Sequence, residues 1–221
     1  MRKIQRITVL GAAVAAALAL AACADASPAP APAPTPAAPA TTAPPAATGE
    51  TTTAQVFGPA CGLLPQGEAP GSLTAMAERP VATAAADNPQ LSALTTVVRA
   101  TGLGSALDQQ KAVTVFAPAD TAFVALRAEL GEAEYAELLA DTDALSALLT
   151  LHVVGTRYDA SGLVAEQTVM SMGGAELTVG GTAQAPTITG PAGTAAAVLC
   201  GNIPTANATV FVIDKVLLPK E

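Results

Sequence analysis

The sequence contains no tryptophan and few aromatic or charged residues. Aromatic residues are 3% and charged residues 13% of the 221 residues, and this share of charge is about half the usual one. Hydrophobic residues reach 51%, but much of that fraction is alanine, which buries little area per residue. A core must therefore depend on leucine and valine, with four phenylalanines and two tyrosines. The length suffices for one ordinary domain with extra segments, or for two small domains.

A single histidine and three cysteines leave few ways to build a catalytic or metal site. The chain has no Gly-x-Ser-x-Gly elbow, no His-Glu-x-x-His motif and no P-loop. A Ser-His-Asp triad would need an exposed histidine, whereas His152 shares an apolar helical face with three leucines. No pair of carboxylates stands in apolar surroundings as a general acid and base. We therefore expect a protein that is not an enzyme and that uses no cofactor or metal ion.

Basic residues are also scarce. The chain has 18 acidic and 10 basic residues, a net charge of −8. Three of the bases lie in the first six residues, in a segment that we expect to be removed. The rest of the chain then has seven bases against 18 acids, a net charge of −11. Because such a chain repels phosphate backbones, we expect no nucleic-acid partner.

The first 22 residues have the pattern of a secretory signal peptide. A positive start precedes an apolar run of about 16 residues, which is shorter than the ~20 residues of a transmembrane helix. The run ends in Leu-Ala-Ala-Cys at residues 20–23, which resembles the lipobox of bacterial lipoproteins. We expect a lipoprotein signal peptide at residues 1–22 and a diacyl lipid on Cys23 that holds the chain to the membrane. An ordinary signal peptide with a chance cysteine, or a membrane helix, is the alternative.

Residues 23–54 have the composition of a disordered Pro/Ala/Thr linker, and we expect them to form a lipid-anchored tether. Residues 27–45 are almost entirely alanine, proline and threonine, with eight prolines. Proline lacks an amide donor, and no large apolar side chain is present to nucleate a core. We expect a polyproline-like stalk of ~3.1 Å per residue, roughly 90 Å long. Its threonines stand in the context of O-glycosylated stalks, and a bare linker is the alternative.

Residues 55–221 are expected to form one domain in which helices come early. Helical spacing predicts a helix that Asn88 caps and Gly102 ends. After a short buried strand at residues 112–116, Asp120 or Thr121 is expected to cap the next helix. Further helices are predicted where leucines recur at helical spacing, the last of them ending near residue 152.

Strands are expected in the second half of the domain. Short runs after residue 168 alternate with a period of two, and a Gly-Gly turn at residues 173–174 predicts a hairpin. The strongest strand pattern is the final one, at residues 209–218. Helices first and strands afterwards predict an α+β fold.

Cys61 and Cys200 remain once Cys23 carries lipid. Thiols oxidise outside the cytoplasm, and a bridge between these two would enclose nearly the whole domain. In the chain-entropy model such a loop stabilises the fold by roughly 5 kcal/mol. We expect a disulfide, and the alternatives are two free buried thiols or, less favoured, a catalytic cysteine.

Three stretches resemble the signature boxes of fasciclin domains. TVFAPADTAF at residues 114–123 resembles the first box, and LLTLHVV at residues 148–154 resembles the Tyr-His box that follows. NATVFVIDKVLLP at residues 207–219 resembles the last box. The order and spacing also agree, so the chain is identified as a fasciclin-domain protein. The resemblance implies a single domain with helices packed on a short-stranded β-sheet wedge.

Within that family, the chain resembles small secreted and lipid-anchored mycobacterial antigens. These share a Gly-Pro-x-Cys near the domain start, found here at residues 58–61, and a Val-x-Cys-Gly at residues 198–201. Their two cysteines form a disulfide, which implies the same pairing of Cys61 with Cys200.

The resemblance also implies roles for five residues. His152 is expected to tie the signature boxes together through Asp120, Thr121 or a backbone carbonyl. An adhesive epitope is the alternative, although Leu151 replaces the family's usual tyrosine, and a catalytic or metal role is disfavoured. Ile213 and Asp214 stand where the family offers an adhesive epitope, and a turn or hydrogen-bonding role for Asp214 is the simpler interpretation.

These features predict a cell-envelope lipoprotein that displays a fasciclin domain for cell adhesion or for contact with extracellular protein or matrix. The lipid on Cys23 would attach it to the outer face of the cytoplasmic membrane, with a secreted fraction allowed. Its partner would be a protein or glycan at the cell surface. The alternative is an envelope carrier or wall-binding protein that holds a lipid or glycan in a groove.

Overall fold

The computed structural model describes residues 49–220, in which eight α-helices and seven strands follow one another. The helices are α1 (Leu73–Ala77), α2 (Val81–Ala86), α3 (Ser92–Thr101), α4 (Gly104–Asp108), α5 (Asp120–Leu130), α6 (Glu132–Ala140), α7 (Thr142–Leu151) and α8 (Ala160–Glu166). The strands are β1 (Val113–Pro118), β2 (Val153–Val154), β3 (Thr168–Met170), β4 (Glu176–Thr182), β5 (Ala185–Thr189), β6 (Ala195–Pro204) and β7 (Ala208–Ile213). The α+β class and the short strands agree with the sequence prediction.

The seven strands form one sheet in the order β2-β1-β7-β6-β5-β4-β3. Only the β1–β7 pair is parallel among these strands. It places Thr114 beside Thr209 and Phe116 beside Phe211. A single bridge between Val154 and Ser171 brings the β3 end of the sheet back to β2. The first and last signature boxes therefore lie side by side in the sheet.

Side chains alternate across the paired strands β1 and β7 and divide the core into two clusters. Val113, Val115 and Ala117 of β1 face a cluster that α1, α2, α3, α5 and α7 cover. Phe116 and its neighbour Phe211 face the opposite cluster, which β3–β5 and α8 complete. Their ring centroids are 6.0 Å apart. This is the period-two alternation expected of strands buried on both faces.

The helix ends follow local chemistry, with one exception. Asn88 accepts a hydrogen bond from the Gln90 amide and precedes a short 3-10 turn that leads into α3, which ends at Gly102 with φ 68°. Both ends agree with the prediction. The predicted cap of α5 is wrong, because Ala119 is its N-cap and Asp120 is already its first residue. The Asp120 carboxylate instead accepts hydrogen bonds from the Ser92 hydroxyl and the Ala93 amide, at the start of α3.

The last strand is shorter than its sequence pattern predicts. It ends at Ile213 rather than continuing to residue 218. The Asp214 carboxylate accepts a hydrogen bond from the Ala197 amide (2.7 Å), and the Asp214 amide donates to the Ala197 carbonyl (3.1 Å). This reciprocal pair bends the chain away from the sheet. Asp214 therefore has the turn-forming role that sequence analysis preferred.

The folded domain begins before the predicted boundary at residue 55. The Gly49 carbonyl accepts a hydrogen bond from the Thr209 hydroxyl (2.7 Å), and Thr51 is buried. Residues 49–54 therefore belong to the domain and not to the tether. The predicted signal peptide, Cys23 and the tether as far as residue 48 lie outside the described residues. Within residues 49–220, no helix combines the length and apolarity needed to cross a membrane.

Candidate functional site

His152 lies at the C-terminal cap of α7, where both ring nitrogens have backbone partners. The Nε2 atom accepts a hydrogen bond from the Leu217 amide at 3.0 Å. Nε2 is therefore unprotonated, and Nδ1–H donates to the Leu148 carbonyl at 2.7 Å. The side chain is 2% exposed. These two bonds fix the neutral tautomer of the ring.

Burial lowers the pKa of His152 from 6.5 to about 4, against a smaller opposite effect of its bond to the Leu148 carbonyl. The ring sits in an apolar environment that disfavours its charged form. At neutral pH this histidine is uncharged and fully hydrogen-bonded. It is therefore poorly placed to act as a general base or a metal ligand.

The same residue joins three signature segments. Its backbone carbonyl accepts a hydrogen bond from the Phe116 amide of the first box (2.9 Å), and its ring binds the Leu217 amide of the last box. The sequence offered a backbone carbonyl as one possible partner of the His152 ring. In the structure this carbonyl is that of Leu148. Asp120 and Thr121 are not its partners, because Asp120 binds the start of α3 and Thr121 is exposed on α5.

The residues that matched the family's adhesive regions are mostly buried. Ile213 is 0% exposed within the second core cluster, so its side chain offers no contact surface for the adhesive epitope that the resemblance suggests at this position. Asp214 is partly exposed but holds the turn after β7. Leu151, in the position of the usual tyrosine, is also buried in the second cluster. Ile213 and Leu151 therefore belong to the interior of the domain, and Asp214 to the turn after β7.

The chain before α1 runs along β6 and is fastened there. We call residues 49–61 the N-terminal strap. Cys61 and Cys200 form a disulfide, which agrees with the expected pairing. Phe57 and Gly201 exchange backbone hydrogen bonds (3.3 and 2.8 Å), and the Asn202 side chain donates to the Gln55 carbonyl (3.2 Å).

The start of the strap is held by groups that sequence analysis did not identify. Thr209, 0% exposed on strand β7, donates its hydroxyl hydrogen bond to the Gly49 carbonyl. It also accepts a hydrogen bond from Arg157 Nε (3.1 Å), while Arg157 Nη2 donates to the Thr205 carbonyl (3.1 Å). These partners are far apart in sequence, so no local pattern could have indicated them.

Asn207 is a second residue whose role sequence analysis missed. Its side-chain oxygen accepts a hydrogen bond from the Val81 amide (2.8 Å). Its side-chain nitrogen donates to the carbonyls of Leu107 (2.9 Å) and Gln110 (3.0 Å). One buried amide therefore joins the start of β7 to α2 and to the end of α4.

Depressions on the helical side of the described domain include an apolar cleft and a charged groove. The apolar cleft, about 80 Å³, lies between α4, the end of α7 and Met172. The charged groove, about 440 Å³ and open to solvent, lies between α2, α3 and α4, with Arg79, Asp87, Arg99 and Asp108 in its lining. An ion pair joins Arg79 and Asp87. Within residues 49–220, no three His, Cys, Asp or Glu residues converge as a metal-binding group.

Comparison with family models gives one match. Residues 89–219 match the model of the fasciclin domain. This range covers more than half of the chain and contains all three signature boxes.

Comparison with characterised proteins gives mycobacterial relatives. The chain is 38% identical over 193 residues to the cell surface glycolipoprotein MPT83 of Mycobacterium tuberculosis, covering 83% of this chain and 80% of that protein. The same values hold for MPB83 of Mycobacterium bovis. The immunogenic protein MPT70 of Mycobacterium tuberculosis is 35% identical over 185 residues, covering 80% of this chain and 86% of that protein.

Among solved structures, the fold is similar to that of a FAS1 domain pair from the insect cell adhesion molecule fasciclin I. The TM-score is 0.55 at 17% sequence identity, over 63% of this chain. The match covers 51% of the insect chain, so the chain spans about half the length of that domain pair. At this identity the similarity concerns the fold alone.

Proposed function

Because this chain belongs to the fasciclin domain family, we propose that it is a cell-envelope lipoprotein that displays its domain for adhesion to a protein or glycan partner. The observation that carries the proposal is the 38% identity, over 83% of the chain, to a protein named a cell surface glycolipoprotein. The Leu-Ala-Ala-Cys string at residues 20–23 supports lipid attachment at Cys23. The Pro/Ala/Thr-rich segment that follows supports display at a distance from the membrane.

The location that follows is the outer face of the cytoplasmic membrane, with a secreted fraction where the anchor is lost. Two acyl chains on Cys23 would hold the chain stably, whereas one would hold it only marginally. The similarity to MPT83, which is named a cell surface glycolipoprotein, supports the location at the cell surface.

Contact with a partner, rather than turnover of a substrate, is the activity that the domain favours. Its only histidine is neutral, buried and bound at both nitrogens. The fold is also similar to that of an insect adhesion molecule, which supports adhesion by analogy of fold. Ile213 and His152 are buried, so partner contact belongs to exposed faces of the domain.

A lipid carrier is less well supported than adhesion. Ligand pockets usually enclose roughly 300–1,000 Å³ and are mostly apolar. The apolar cleft has about 80 Å³, and the larger groove of about 440 Å³ is open and lined by charged residues. Within the described residues, neither depression suits a buried acyl chain.

The proposal is tested by following Cys23 and adhesion in the same cells. Bacteria would express the wild-type chain, Cys23→Ala, or Ala26→Ser as a matched control that keeps the thiol. Phase partition of cell extracts in a cloud-point detergent would report lipidation. Retention of the cells on surfaces coated with solubilised extracellular matrix, or with purified wall glycan, would report adhesion.

We expect the wild-type chain and Ala26→Ser to enter the detergent phase and to increase retention on one of the two coatings. Cys23→Ala should lose the lipid and retain residues 1–22, because no thiol is available for acylation. A wild-type chain without lipid would contradict the anchor. Equal retention of cells with and without the wild-type chain on both coatings would contradict adhesion.

A further inference from the structure

We propose that the Cys61–Cys200 disulfide transmits tension from the tether directly into the centre of the β-sheet. In this way the domain would resist being peeled open from its N-terminal end. The proposal goes beyond adhesion and rests on it, because a domain held at one end and bound to a partner at another surface is pulled whenever cell and partner separate.

The tether enters the described domain through the N-terminal strap. Under a pull at Gly49, the first bonds to carry load are single contacts in a row. They are the bond between Thr209 and Gly49, then the bond from Asn202 to the Gln55 carbonyl, then the Phe57–Gly201 pair, and last the bond from the Ala60 amide to the Leu199 carbonyl. Bonds arranged in a row along the pull break one at a time, so these contacts alone give little resistance. Cys61 is the first point beyond them that is covalently joined to the sheet.

The helices that follow Cys61 would be easy to peel without that joint. Helices α1 and α2 have five and six residues, and isolated helices of this length are not stable in water. Their buried side chains, which include Met76 and Val81, cover the first core cluster. Removing these helices in turn would expose the apolar faces of β1 and β7. A tether linked only through the backbone would therefore pull on the weakest edge of the fold.

The disulfide transfers the load from Cys61 to strand β6. Cys200 is 1% exposed and lies in the ten-residue strand β6. This strand pairs with β5 from Ala195 to Ala197 and with β7 from Val198 to Pro204, where the register shifts on each side of Cys200. Strand β7 is in turn paired in parallel with β1 along its whole length. Moving β6 along the sheet requires the ladders on both of its sides to break together. Tension at Cys200 is therefore shared among the bonds of these ladders. Without the disulfide, the same tension falls in turn on the strap contacts and then on the backbone that leads into α1.

Single-molecule pulling on the full chain tests this load path. One handle is attached at the N-terminal end, and the second at an azide-bearing residue introduced by Glu134→p-azidophenylalanine. Glu134 is exposed on α6, and a handle there takes the place of a partner bound to the surface of the domain. With the disulfide intact, only residues 49–60 should extend before the main rupture, a gain of up to about 40 Å at ~3.5 Å per residue. After reduction of the same folded molecules, residues 49–112, which precede β1, should peel before the main rupture, a gain of up to about 220 Å at ~3.5 Å per residue.

A second geometry separates a load path from general stabilisation. With handles at position 134 and at the C-terminal end, the pull first meets the segment after β7 and then β7 itself, before it reaches Cys200. Reduction should leave the force of this first rupture unchanged. The Cys61→Ser/Cys200→Ser double variant should behave as the reduced chain in both geometries.

Two results would overturn the proposal. One is a long early extension in the disulfide-bonded chain pulled from its N-terminal end. The other is an equal loss of rupture force in both geometries after reduction, which would make the disulfide a general stabiliser. Because the handle replaces the lipid, neither result depends on acylation of Cys23 or on the identity of the adhesion partner.

Discussion

His152 accepts a proton at mildly acidic pH in the unfolded chain, but in the folded protein it stays neutral. Its pKa is 6.5 in the unfolded reference and about 4 in the folded protein. Above pH 6.5 both states are neutral, and this histidine adds no pH dependence to stability. As the pH falls from 6.5 towards 4, the unfolded state takes up the proton first, so stability decreases.

The expected decrease attributable to His152 is about 2–3 kcal/mol in the free energy of unfolding between pH 7.5 and pH 4.5. Urea unfolding at the two pH values measures it. His152→Gln removes the titrating group but keeps every carboxylate, so the difference between wild type and variant isolates the histidine. If both proteins lose the same stability between the two pH values, the buried neutral ring does not account for acid sensitivity.

The buried side-chain amide of Asn207 joins the start of β7 to α2 and to the end of α4, so we expect the free energy of unfolding to depend on it. Asn207→Asp keeps the shape of the side chain but replaces its donor nitrogen with an oxygen that faces the carbonyls of Leu107 and Gln110. We expect a loss of about 2–4 kcal/mol at pH 7. Thermal or urea unfolding measures this loss. Gln109→Glu makes the same chemical change at an exposed position and should change stability by no more than about 0.5 kcal/mol.

At the scale of elements, the packing of the strap on β6 leaves no room for a side chain at Gly201. A Cβ atom there would lie 2.4 Å from Phe57 Cζ and 3.0 Å from Phe211 Cδ1. Gly201→Ala should therefore displace the strap and lower stability by about 1–3 kcal/mol. Hydrogen exchange should increase in residues 55–60. Gly62→Ala, where a Cβ atom meets nothing within 4 Å, is the control, and equal exchange in both variants would contradict the packing described.

The elements that could be predicted from sequence are those with local determinants. Asn88 and Gly102 mark the beginning and end of the α3 region, because a cap and a left-handed glycine act on neighbouring residues. The end of β7 was predicted too late, since the apolar alternation continues past Asp214. That residue turns the chain through bonds to Ala197, which is 17 positions away.

The candidate site was only partly predictable for the same reason. The burial of His152 follows from the leucines on its helical face. Its partner Leu217 is 65 residues away, and the partners of Gly49 and Cys61 are 160 and 139 residues away. The cysteines could be paired because only two remain after Cys23 is assigned to lipid. The hydrogen bond from Thr209 to the Gly49 carbonyl could not be predicted, because local periodicity carries no information about a partner 160 residues away.

On the scale of the whole molecule, one covalent bond joins the start of the domain to its central sheet. The disulfide encloses a loop of 139 residues. Closing such a loop restricts the unfolded chain and stabilises the fold by roughly 5 kcal/mol in the entropy model. Urea unfolding with and without reductant should show a loss approaching that size. An unchanged midpoint after verified reduction would show that the fold does not depend on the bond.

Display of the folded domain from a lipid anchor is tested most directly by the intact mass of the protein extracted from native membranes. We predict a chain that begins at Cys23, carries acyl chains on that residue, and is two hydrogen atoms lighter than its reduced form because Cys61 and Cys200 are joined. A chain that retains residues 1–22, or that begins at residue 23 without acyl chains, would contradict it.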